Sequence, residues 1–201
     1  MKNQKFYNLL PIETLDSVAL KTFGENPSSD LEQILKYLPQ KAKILEIGGG
    51  TGRIGIELIK NGFYYTGIDE QPNYLEAFKQ KLGKIQFDPK DTKLLNIAFE
   101  KLPENENFDT ILFTWTVIGD FSKSEQLEAL EKTYKILNKS GICLIDNPSK
   151  NQQYNEAEFY CPTHFYYADW KTVFDQLGFS HQAIIYQTKT GIERELIILT
   201  K

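Results

Sequence analysis

The stretch ILEIGGGTGRIG, residues 44–55, holds five glycines in twelve positions behind a run of apolar and β-branched side chains. Glycine loses more backbone freedom on folding than any other residue. A cluster of glycines therefore marks a turn that needs positive φ, or backbone that something approaches closely. Lys43–Ile47 reads as a fully buried strand, the glycines as a loop, and residues 52–60 as a helix ended by Asn61 and Gly62. A strand, a glycine loop and a helix N-terminus together make a site for a nucleotide-like ligand at the carboxyl end of a sheet.

Working outward, short apolar runs alternate with helical patterns. Ser28, Ser29 and Asp30 offer caps for a helix over residues 31–38, stopped near Pro39. Strands are expected at 63–68, 93–98, 108–115 and 142–146. Helices are expected from Pro72 to about Leu82, from Ser122 or Ser124 to Leu137, and over 169–177 before Gly178. The turn Asn138-Lys139-Ser140-Gly141 separates the second of these helices from its strand. The chain then changes style, because 181–187 and 193–199 read as two strands joined by a short turn. This order predicts an α/β fold whose parallel sheet is closed by an antiparallel hairpin. No internal repeat or linker interrupts it, so one domain is expected over 1–201, with an N-terminal helical segment over 1–40.

Composition excludes several functions. Hydrophobic residues make up 41% and charged residues 25%, ordinary values for a globular domain. A net charge of −4 and a pI near 5.3 argue against a nucleic-acid partner, which calls for a basic surplus. Cys143 lies in an apolar run and Cys161 in a loop-like stretch, which suggests neither a disulfide framework nor a metal site. With no apolar run of membrane length and no signal-peptide pattern at the start, the expectation is a cytoplasmic protein without a membrane partner. Oligomeric state is left open.

The glycines discriminate between cofactors. A dinucleotide fingerprint needs G-x-G-x-x-G, but its third glycine would fall on Arg53. The glycines fall instead as G-x-G-x-G at Gly48, Gly50 and Gly52, after Glu46. EIGGGTG, residues 46–52, resembles motif I of the class I S-adenosylmethionine-dependent methyltransferases. LPENENFDTILF (102–113) and YKILNKSGICLI (134–145) are similar to later segments of that family, in the right order. The resemblance implies a Rossmann-like three-layer α/β/α sandwich with a seven-stranded, mostly parallel sheet in the order 3-2-1-4-5-7-6. It also implies S-adenosylmethionine as cofactor. Gly48, Gly49, Gly50 and Gly52 would line its amino-acid arm. Glu46 would sit below the loop, holding backbone N–H groups or acting near the methionine ammonium. Asp69, closing GID, matches the acid that binds the ribose hydroxyls. The acid common after the third strand is replaced by Ile97, so Asn96 or the backbone at Ala98 and Phe99 would face the adenine.

The acceptor wall is expected at TWTVIGD, residues 114–120. Thr114, Trp115 and Val117 would lie near the cofactor, and Asp120 would reach an acceptor proton or serve as a helix cap. Residues 147–168 form a long connection and are a candidate substrate lid. Its rings include Tyr154, Phe159 and Tyr160, and His164 is a candidate general base. Tyr7 is a candidate to close the site from the N-terminus. The expected acceptor is a small molecule with an N or O nucleophile. A regulatory module that binds the cofactor without turnover, and a dinucleotide-dependent reductase, are the alternatives.

Overall fold

The computed structural model describes residues 7, 9–26, 28–152 and 163–201. Strands β1 (Lys43–Ile47), β2 (Tyr64–Asp69), β3 (Thr92–Asn96), β4 (Phe108–Phe113), β5 (Leu137–Pro148), β6 (Ser180–Gln187) and β7 (Glu193–Thr200) form one sheet. Its order is β3-β2-β1-β4-β5-β7-β6, as expected. The first five strands pair in parallel, while β7 runs antiparallel to both β5 and β6.

Alternation along the strands sorts the core into two layers. Ile44, Tyr65, Leu112 and Leu144 face one side, against Leu31 and Ile34 of α2 (Leu31–Leu35), Leu58 of α3 (Gly55–Lys60) and Phe78 of α4 (Pro72–Leu82). Leu45, Ile47, Phe113 and Ile145 face the other. They meet Leu130 of α5 (Lys123–Ile136) and Trp170 and Phe174 of α6 (Tyr167–Leu177). Helix α1 (Ile12–Phe23) precedes these and buries Ala19, Thr22 and Phe23.

Several boundaries differ from expectation, each for a local reason. Helix α3 starts at Gly55 rather than residue 52, because Gly52 has φ +85° and its N–H closes a turn onto Gly49 O. Helix α2 stops at Leu35. The turn expected at 138–141 is instead a bulge inside a twelve-residue β5. Leu137 pairs with Phe108 and the next pair is Thr110 with Ile142, while the Asn138 amide donates to Asp109. Helix α5 begins on Ser122 as N-cap, in a reciprocal capping box with Glu125. The connection expected over 147–168 is shorter at both ends, since β5 runs to Pro148 and α6 begins at Tyr167.

Candidate functional site

The carboxyl ends of β1, β2 and β4 open into a cavity of about 1020 Å³. Glu46, Gly48, Gly49, Gly50, Asp69, Ala98, Phe99, Thr114, Trp115, Asp120 and His164 all lie on its wall, whereas Gly52, expected there too, does not line it and packs against Phe78. The three alternate glycines have φ of +67°, +52° and +85°, a region that side-chain-bearing residues avoid. Their surroundings differ. A Cβ on Gly48 would lie 2.7 Å from Val117, and one on Gly52 only 2.3 Å from the Phe78 ring. A Cβ on Gly50 would meet nothing nearer than Gly48 O at 3.8 Å. Gly48 and Gly52 are thus required by packing, whereas Gly50 faces open space.

Glu46 is 2% exposed. Its carboxylate does not hold backbone N–H groups. Instead it accepts from the Tyr65 hydroxyl and, at 2.9 Å, from the Thr114 hydroxyl. Burial pushes its pKa up to about 7 against the opposing pull of those two donors. The Tyr65 ring reaches it through space that only glycine leaves, since a Cβ on Gly55 or Gly67 would strike the phenol oxygen at 2.4 or 2.7 Å.

Asp69 ties the loop to β2. Its two oxygens accept from Gly50 N and Gln71 N, each at 2.8 Å. A carboxylate oxygen has a second lone pair, so one acceptor direction per oxygen remains. Burial raises the Asp69 pKa against these two bonds. The Asn96 amide donates to Asp69 O at 2.9 Å and so braces the strand end. Phe99 is buried edge-on against Phe113 at 5.7 Å, and Ala98 precedes it on the wall.

At the end of β4, Trp115 and Thr116 both take positive φ, +49° and +70°. Two consecutive non-glycine residues in this region are held only by their surroundings. Here Asp146 accepts from Trp115 N at 3.1 Å, and its carbonyl accepts from Thr116 N at 2.8 Å. The Trp115 ring packs edge-on against Phe23. Asp120 is 7% exposed and accepts from the Tyr7 hydroxyl at 2.9 and 3.1 Å, so the structure joins residues 113 apart in sequence. The His164 ring stacks on Tyr166 at 5.3 Å. Phe165, also on the wall, stacks on Trp170 in the core, while Tyr154, Phe159, Tyr160 and Cys161 lie outside the described residues.

Sequence reasoning missed two buried ion pairs beside the cavity. Arg53 grips Asp30 at 2.6 and 3.0 Å, and Arg194 grips Asp146 at 2.6 to 3.1 Å. Both guanidiniums lie over the Phe23 ring, at 4.3 and 5.5 Å. The signal was a lone Arg at the head of the apolar run RELIILT and an Asp at the tail of ICLID, which the β5–β7 pairing brings together. Among the described residues no group of three or more His, Cys, Asp and Glu is placed to hold a metal, and no helix is long and apolar enough to cross a membrane.

Residues 38–190 match the family described as methyltransferase domain. The chain belongs to that family. This agrees with the resemblance of EIGGGTG to motif I of the class I S-adenosylmethionine-dependent methyltransferases. YqeM of Bacillus subtilis (strain 168), whose methyltransferase activity is itself a provisional assignment, is 29% identical over 113 residues, 54% of this chain and 43% of that protein. The chain spans less than half the length of the curated relatives it matches. The glycopeptide N-methyltransferase MtfA, solved with S-adenosylmethionine, superposes with a TM-score of 0.70 at 14% identity, covering 86% of this chain and 92% of that one. The 1,6-didemethyltoxoflavin-N1-methyltransferase of Burkholderia thailandensis, solved with its substrate and S-adenosylhomocysteine, gives 0.66 at 16% identity, covering 87% and 76%. The methyltransferase fold is thus shared far beyond recognisable sequence.

Proposed function

We propose that this methyltransferase domain moves a methyl group from S-adenosylmethionine to an N or O nucleophile on a small-molecule acceptor. One observation carries the reading. The loop that ends β1 turns its one sterically open glycine, Gly50, into a cavity of about 1020 Å³ bordered by Asp69. That volume is at the upper end for small-ligand sites and leaves room for a cofactor and a modest acceptor together.

The residues present fit the cofactor. Gly48 to Gly50 would let its amino-acid arm lie against backbone, the free lone pairs of Asp69 would take the ribose hydroxyls, and Ala98 and Phe99 would border the adenine. Thr114 and Trp115 would wall the reacting end. When bound, S-adenosylmethionine supplies an electrophilic methyl on a sulfonium. Holding the acceptor in line with it supplies most of the acceleration. Asp120, which accepts a hydrogen bond from Tyr7, and His164, on the same wall, would take the acceptor's proton.

The test uses methyl-labelled S-adenosylmethionine with a cell extract separated into small-molecule, tRNA and protein fractions. Label is expected in the small-molecule fraction. Label confined to tRNA or protein would contradict the acceptor class, and no transfer to any fraction would favour a module that binds without turnover.

A further inference from the structure

We propose that Asp146 is a positioning residue for methyl transfer: it holds the strained pair Trp115–Thr116 and through it sets the wall at the reacting end of the cavity. This rests on the methyl-transfer reading above. The pair leads from β4 into a short 3-10 helix, Val117–Asp120, and Thr114 to Val117 all border the cavity, as does Asp120. Val117 lies against Gly48, where an added Cβ would come within 2.7 Å of it. A shift of the pair would therefore draw Val117 off the glycine loop and Asp120 away from the Tyr7 hydroxyl.

Positive φ is an outlier for a β-branched residue, yet Thr116 takes +70° directly after Trp115 at +49°. Glycine would adopt either angle freely. The chain instead keeps two large side chains on the cavity wall and holds their backbone from outside, as strained segments at sites require. Asp146 holds both peptides. Its side chain accepts from Trp115 N at 3.1 Å and its carbonyl from Thr116 N at 2.8 Å. The closing hairpin aims that carboxylate. Arg194 of β7 donates to it at 2.6 to 3.1 Å, and the Tyr186 hydroxyl of β6 at 2.7 Å. Arg194 also reaches the Thr116 hydroxyl at 3.3 Å. Asp146 is 1% exposed and stands behind the wall, so it acts on the reaction only through the residues it holds.

The test compares two double variants, Asp146→Asn/Arg194→Met and Asp146→Leu/Arg194→Met. Both remove the ion pair whole, so neither strands a buried charge. Asn keeps an oxygen for Trp115 N, and Leu does not. Labelling with fluorotryptophan gives one fluorine NMR resonance for Trp115 and a second, as core reference, for Trp170. Relative to the Asn variant, the Leu variant should move the Trp115 resonance and leave that of Trp170 in place. At saturating S-adenosylmethionine it should pass labelled methyl to the small-molecule fraction about tenfold more slowly. Affinity for S-adenosylhomocysteine, which carries no methyl into the reacting end, should differ by less than about threefold. Equal transfer by the two variants, whether or not the Trp115 resonance moves, would overturn the proposal. So would a fall in S-adenosylhomocysteine affinity as large as the fall in transfer. Should the Leu variant not fold, Tyr186→Phe makes the comparison with the unmodified protein, since it takes one donor from Asp146 and no charge. Transfer about threefold slower is expected there, and an unchanged rate would overturn the proposal. No transfer by the unmodified protein would overturn the methyl-transfer reading, and the proposal with it.

Discussion

At the residue scale, Asp69 and Glu46 are two carboxylates at neighbouring strand ends with opposite tasks. Asp69 takes its two hydrogen bonds from backbone N–H groups and, in the proposed function, offers its remaining lone pairs to the ribose, while the two oxygens of Glu46 take theirs from side-chain hydroxyls. Asp69→Ala should therefore cost about 1.5–3 kcal/mol of S-adenosylmethionine binding, roughly ten- to hundredfold in affinity by calorimetry. Unchanged affinity would remove Asp69 from the ribose site. Glu46 acts instead on stability. The folded protein holds its proton up to about pH 7, whereas the unfolded chain releases it near the ordinary 4.5. Across that window the unfolded chain binds fewer protons, so stability falls as pH rises. The loss reaches about 3 kcal/mol above pH 7. Glu46→Gln carries no charge, so its stability relative to the parent should climb between pH 4.5 and 7 and then level off. A difference independent of pH in denaturant unfolding would contradict this.

At the scale of elements, the glycine loop was legible in the sequence because its residues are local. The strand before it and its G-x-G-x-G spacing lie within a dozen positions. The division of labour among the glycines was not legible, because Val117 and Phe78, which exclude side chains from Gly48 and Gly52, come from a distant turn and helix. Gly52→Ala must push its Cβ into the Phe78 ring and should lose about 3 kcal/mol or more. Gly50→Ala carries only the left-handed backbone penalty of about 1 kcal/mol, a fall of roughly 2–4 °C in Tm. Equal losses in thermal unfolding would show that Gly50 and Gly52 do not differ in packing. The bulged start of β5 was misread for a similar reason. Asn138 to Gly141 carry turn residues, and only pairing with β4 keeps them within a strand.

For the whole molecule, the closing hairpin followed from the succession of elements and the sheet order from the resemblance carried by the glycine motif, but the far part of the cavity wall followed from neither. It is lined by Tyr7, Asp120 and Arg194, with Phe23 and Asp146 packed against Arg194, and nothing local connects these residues. Phe23 anchors α1 under two guanidiniums that are themselves neutralised by buried carboxylates. Arg194→Ala would leave Asp146 buried without its partner and should cost about 3–5 kcal/mol, while the double variant Asp146→Asn/Arg194→Met should recover part of that loss. Strictly additive losses in denaturant unfolding would mean that the pair does not act as a unit.

The central claim is that a cofactor lies against Gly50, and its most direct test is calorimetric titration of S-adenosylhomocysteine into the parent protein and Gly50→Ala. One site per parent chain is expected, with affinity at least about tenfold weaker in Gly50→Ala and the near-UV circular dichroism of the fold retained. Equal affinity in the two proteins, or no binding by the parent, would contradict it.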